Sequence, residues 1–308
     1  MNKQSGFTLI ELSIVLVIIG LIIGGVLVGR DLVRAAGVRS TISQIEKYNA
    51  AVNTFRGKYG YLPGDIAANA AAQFGFSARG TGIGMGDGNG VIESTAFTEI
   101  APCGDVYAFG ETIMFWVDLT TANGKNVNLI EGGFSLANSV NFSNTDVTGV
   151  GIDLYFPPAK LGQGNYIYVW SGGPQTNSGI DPCGKRDSLN YFGLSQVSKI
   201  ENSDQGEIDT APGLTVRQAY DMDKKIDDGL PQSGRVTAQY VSASSSVGPE
   251  VVWAGVGSLG TQGAATTTST AGSAATCYDN GSSNAAQQYS LSQNNGNGVN
   301  CALSFRFQ

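Results

Sequence analysis

From Phe7 to Val28 the chain is apolar at every position except Thr8, Glu11, Ser13 and its glycines. At roughly 1.5 Å per residue, this run of about 22 residues makes about 33 Å of helix, enough to cross a bilayer. A cleaved secretory signal carries a shorter apolar core, about 7–15 residues, so the segment reads as retained. The pattern then changes without stopping. Val38, Ile42, Ile45, Tyr48 or Asn49, Val52, Phe55 and Tyr59 recur at spacings of three and four, which predicts an amphipathic continuation. One helix is therefore expected over 7–58, transmembrane over 7–28, with Gly57 and Gly60 as stop signals and Pro63 forbidding much beyond. The pairs Gly20/Gly24 and Gly25/Gly29 fit close helix packing and ordinary membrane-helix composition equally.

Beyond the helix, Tyr61-Leu62-Pro63-Gly64-Asp65 reads as a turn and the alanine-rich stretch to Phe74 as a short helix. Ile113, Trp116, Val117 and Leu119 predict a one-sided helix between Gly110 and Gly124. Val216, Ala219, Tyr220, Met222 and Ile226 predict another over 215–228. Strand-like runs lie at 151–156, 166–171, 235–242, 250–256 and 302–307, bounded by Gly, Pro and Asn. Tyr155, Tyr166, Tyr168 and Trp170 are assigned to sheet core rather than to an exposed adhesive face. The fold expected is α+β: a long N-terminal helix packed on an antiparallel sheet head (59–308) with loop-rich insertions. Residues 257–300 turn to Gly, Ser, Thr, Ala and Asn, which bury too little apolar surface to order themselves unaided.

Glu11 is the anomaly of the first segment, because an acid inside hydrocarbon costs about 2.5–3.5 kcal/mol even on insertion scales. No Lys, Arg or His lies in the run, so the charge must be met from outside this helix or be neutralised. Cutting after Gly6 would give Phe7 a cationic amine that a staggered neighbouring helix would bring to Glu11.

The residues Gly6, Phe7, Thr8, Leu9, Ile10 and Glu11, the apolar run after them and a six-residue leader with Lys3 resemble the N-terminus of type IV pilins and type II secretion pseudopilins. The resemblance implies that a prepilin peptidase cuts between Gly6 and Phe7 and N-methylates Phe7. It implies that Glu11 recruits the neighbouring subunit of a helical filament at an inner-membrane assembly platform. The implied function is a structural subunit of a type IV pilus-like or secretion pseudopilus filament. A minor or adhesive pilin, or a membrane-anchored extracytoplasmic binding protein, is the alternative. Lys3 on one side faces Arg30, Arg34 and Arg39 on the other, so charge alone does not orient the span. The resemblance places the leader in the cytoplasm, the helix in a bacterial inner membrane as a single pass, and the head in the periplasm until assembly. The segment YLPGD is similar to the one that follows the first helix in a subset of pilin-like proteins.

Composition narrows the function. The net charge is −7, against the basic stripe a general nucleic-acid binder needs. The chain has no histidine, which removes Ser-His-Asp triads, Cys-His dyads and His-containing zinc sites, and it reads as non-enzymatic. Four cysteines, Cys103, Cys183, Cys277 and Cys301, follow the span without a C-x-x-C, which points to two disulfides in an oxidising compartment. The favoured pairs are Cys277–Cys301, worth roughly 3.5 kcal/mol in the chain-entropy model, and Cys103–Cys183. No cofactor is required. The one candidate metal is calcium in GMGDGNGVIE, where Asp87, Asn89 and Glu93 offer hard oxygens and the glycines let backbone carbonyls converge. The loop lacks the ligand spacing of an EF-hand.

Overall fold

A computed structural model describes residues 8–80, 84–93, 108, 110–120, 127–134, 145–171, 188–201, 206–242, 250–254, 276–279 and 286–307. Gly6, Phe7, Cys103 and Cys183 lie outside these, as does much of the 257–300 segment. The first element is helix α1, Leu9–Tyr59. It begins at Thr8 as N-cap and ends where Gly60 turns left-handed at φ 78°, its N–H bonded to the Arg56 carbonyl. Gly57 does not stop it; a glycine ends a helix where the chain turns left-handed, and that position is Gly60.

α1 has two halves. From Leu9 to Val33 its large apolar side chains are exposed, whereas Val38, Ile42, Ile45, Tyr48, Val52 and Phe55 are buried against the head. Gln44 pins this second half: its Nε2 donates to the Pro158 carbonyl at 3.0 Å, and its Oε1 accepts from the Lys160 N–H at 2.9 Å.

Helices α2 (Ala68–Phe74), α3 (Glu111–Leu119) and α4 (Val216–Ile226) follow. α3 is buried on every side rather than one, and it ends at Thr120 instead of reaching Asn123. Its Trp116 meets Tyr48 of α1 edge-on at 5.1 Å between ring centroids, while Phe115 meets Phe307 at 5.8 Å.

The strands in chain order are β1 (Val147–Thr148), β2 (Asn165–Ser171), β3 (Asn190–Ile200), β4 (Ile208–Ala211), β5 (Leu214–Thr215), β6 (Val236–Thr237), β7 (Gln239–Ser242), β8 (Glu250–Trp253), β9 (Tyr278–Asp279), β10 (Gln288–Tyr289), β11 (Val299–Cys301) and β12 (Leu303–Arg306). All their pairings are antiparallel. β3 is the spine of the main sheet, pairing with β1, β2, β4 and β12, and β6 extends the sheet beyond β12. The run at 151–156 is not a strand; Gly149–Leu154 forms a 3-10 turn. Short apolar runs carry no periodicity that separates the two.

Register fixes the two faces. Val169, Phe192 and Phe305 align on the face that meets α1 and α3. Tyr168, Gly193 and Ser304 align on the other, next to the row of Trp170, Tyr191 and Arg306. Tyr155, Tyr166, Tyr168 and Trp170 are all buried. Trp170 stacks on Tyr191 at 4.4 Å and donates its Nε1–H to Ser304 at 2.9 Å. Cys277 is bonded to Cys301, both fully buried, and ties the β9 region to β11.

Candidate functional site

Two regions carry chemistry. The first is the start of α1, where Thr8 and Glu11 form a capping box. The Thr8 N–H donates to Glu11 Oε2 at 2.8 Å, the Thr8 hydroxyl donates to the same oxygen at 2.7 Å, and the Glu11 N–H points back to Thr8 Oγ1 at 3.4 Å. In the isolated chain Glu11 thus finds hydrogen-bond donors within its own helix end, though no counter-charge among the described residues. The signal was present in the sequence as Thr-x-x-Glu before an apolar run. Around it, Leu9, Ile10 and Leu12 are among the exposed apolar side chains of a helix whose first half has nothing packed on it among the described residues.

The second region joins the turn after α1, the glycine-rich loop and the start of α3. Gly84, Gly86, Gly88 and Gly90 all have positive φ, a conformation that side chains disfavour. What converges is not carbonyls, as the sequence suggested, but N–H groups, because two buried carboxylates need donors there. Asp65 accepts from Gly88 and Gly90, each at 2.7 Å. Glu111 accepts from Gly86 at 2.8 Å, Asp87 at 3.4 Å and Glu93 at 2.9 Å.

Asp65 and Glu111 are almost wholly buried and carboxylate oxygens of Asp65, Asp87 and Glu111 lie within 4.8 Å of one another. Of the sequence candidates, Asp87 belongs to this group and Glu93 sits beside it. Asn89 is a brace: its Oδ1 accepts from Val91 N–H at 2.7 Å, and its Nδ2 donates to Asp87 at 3.1 Å and to Glu93 at 3.4 Å. Burial pushes the Asp65 carboxyl up to about 7, with repulsion from Asp87 adding and the Gly90 and Gly88 N–H groups opposing. Burial likewise lifts Glu93 to about 7 and Glu111 well above the usual carboxylate range. Sequence reasoning missed Asp65, read as part of a turn, and Glu111, read as the start of a helix.

Comparison with known proteins bears on the first region. Residues 1–27 match the prokaryotic N-terminal methylation motif. The chain carries a prepilin-type N-terminus. That motif is the hallmark of type IV pilin and pseudopilin precursors, and it implies processing by prepilin peptidase and assembly with other pilin-like subunits. The helix behind it is long and apolar enough to cross a membrane, which is consistent with a membrane-anchored pilin. No curated protein and no solved structure matches the chain.

Proposed function

We propose that this protein is a structural subunit of a type IV pilus-like or type II secretion pseudopilus filament, and that its mechanism lies in assembly rather than catalysis. One observation carries the reading: a prepilin-type motif runs directly into a helix half whose apolar side chains are all uncovered, while the other half is built into the head. Cleavage between Gly6 and Phe7 would leave the Phe7 amine next to Thr8. In the filament, a neighbour's Phe7 amine takes Glu11 as its counter-charge and sets the stagger between subunits. The exposed residues from Leu9 to Val33 then bury one another in the filament core. The head remains in the periplasm or on the filament surface.

The test is a Glu11→Ala variant, with the N-terminal peptide weighed from membrane and sheared-surface fractions. The expected result is a peptide beginning at methylated Phe7 in both proteins, with filament incorporation of the variant reduced at least tenfold. Wild-type incorporation of the variant would sink the assembly role. A peptide still beginning at Met1 in cells that process other prepilins would leave an anchored extracytoplasmic protein instead.

A further inference from the structure

The glycine-rich loop, the Asp65 turn and the first residue of α3 bring Asp65, Asp87 and Glu111 together with Glu93 beside them, and of these four Asp65, Glu93 and Glu111 are buried. Among the described residues no Lys or Arg forms an ion pair with Asp65, Asp87, Glu93 or Glu111. The nearest buried cation, Arg79, is committed to Asp118 at 2.6 Å. Buried like charges at this spacing are strongly unfavourable unless a proton or a cation joins them. Glu93 decides between these. It is only 7% exposed, its Oε1 accepts no hydrogen bond, and its Oε2 takes only the long contact from Asn89, which is also bonded to Asp87. Asn89 bridges Glu93 to Asp87, and Asp87 and Asp65 are the charges that act on it, so Glu93 borders the group. A proton would serve one pair of these oxygens, whereas a cation would take the unpartnered Glu93 oxygen and the neighbouring carboxylates together.

We propose that Asp65, Asp87, Glu93 and Glu111 form a calcium site that fastens the turn after α1 to the head of α3. Every donor is a hard oxygen, which selects calcium or magnesium over softer metals. The loop's left-handed glycines hold the amides on Asp65 and Glu111, and Glu111 Oε2, which accepts only one of them, keeps a lone pair for an ion. The ligands come from three separate segments of the chain, and a donor set gathered in this way suits calcium's variable coordination better than magnesium's octahedron. The other acidic cluster lacks this feature. Asp223 has donors on both oxygens in Tyr289 and Gly229, and Asp228 has them in Leu230 and Ser233. It carries no site.

The test uses the full chain in detergent, stripped with a chelator at pH 7.5 and titrated with calcium chloride or magnesium chloride in a calorimeter and in thermal melts. One calcium per chain is expected, with a Kd of about 0.1–1 mM or tighter, a rise in melting temperature, and magnesium at least tenfold weaker. Asp87→Asn, at an exposed position, and Glu93→Gln should each weaken calcium at least tenfold; Asp228→Asn should not. Absence of binding at 10 mM calcium, about tenfold above the top of the range for such modules, would overturn the site. So would unchanged affinity in both variants, or magnesium binding as tightly as calcium. None of these readouts depends on filament assembly.

Discussion

Asp223 shows how one buried acid makes stability depend on pH. It is fully buried on α4, bonded to the Tyr289 hydroxyl at 2.8 Å and the Gly229 N–H at 3.0 Å, with Asp227 and Asp228 as the charges facing it. Burial pushes its carboxyl up to about 7. The folded state therefore holds the proton more tightly than the unfolded chain. This contribution is complete below about pH 4 and is lost as pH rises through about 7. In Asp223→Asn the amide oxygen still accepts from Gly229 and the amide donates to Tyr289, so no bond is lost and the charge is gone. Urea midpoints of wild type and variant should converge below about pH 4, and the variant should be the more stable at pH 8. Parallel profiles would show that Asp223 does not titrate in this window. A second buried charge acts differently. Asp118 takes Arg79 on both oxygens at 2.6 Å and also accepts from the Gly64 N–H at 2.7 Å, with both side chains almost fully buried. Asp118→Ala leaves a guanidinium buried alone and should cost about 3–5 kcal/mol in urea unfolding. Adding Arg79→Met to Asp118→Asn should recover most of that loss, because the asparagine oxygen still serves Gly64.

At the scale of elements, β3 is the strand on which the sheet depends and the one the sequence hid. Gly193, Ser195, Gln196 and Ser198 interrupt its apolar alternation, and a glycine inside such a run reads as a break. In the sheet that glycine is paired with Tyr168, whose ring fills the space where a side chain would stand. Tyr168 in turn accepts from the Val241 N–H at 3.1 Å and so holds the β7–β8 hairpin. Gly193→Val should displace the ring and cost about 1–3 kcal/mol, with a loss of near-ultraviolet tyrosine signal. A variant as stable as wild type would refute the close approach. α1 and α4, by contrast, were legible, because three-and-four spacing over many residues has no competing interpretation. The 215–228 helix even shows its start, Thr215 and Gln218 forming a capping box. The loop site was half legible. Asp87 and Glu93 sit in one glycine-rich stretch, but Asp65 and Glu111 reach it only through folding, over 23 residues from Gly88 and 18 from Glu93. No local pattern marks such a meeting.

The molecule as a whole is a head that owns only the second half of its longest helix. Between Leu9 and Val33 no side chain is buried, and the first one buried is Val38. Arg34 touches the head through Asn297 at 2.8 Å, and Gly37 lies against Leu161. A chain beginning at Arg30 keeps every one of these contacts and discards only exposed apolar surface. It should be soluble without detergent and should melt within about 2 °C of the full chain, since no contribution to folding has been removed. A chain beginning at Asn49 loses Val38, Ile42, Ile45 and Tyr48, each worth about 1.5–3 kcal/mol of burial. Their sum, about 6–12 kcal/mol, matches the roughly 5–15 kcal/mol that holds a whole domain folded, so this second truncation should not fold. Circular dichroism melts of the two chains separate the cases. If the shorter cut already melts far below the full chain, the first half of α1 contributes to the head and is not free to serve a neighbour. If both cuts fold, the stripe from Val38 to Tyr48 is not needed to join stalk and head, and the division of α1 into an assembling half and a folding half fails.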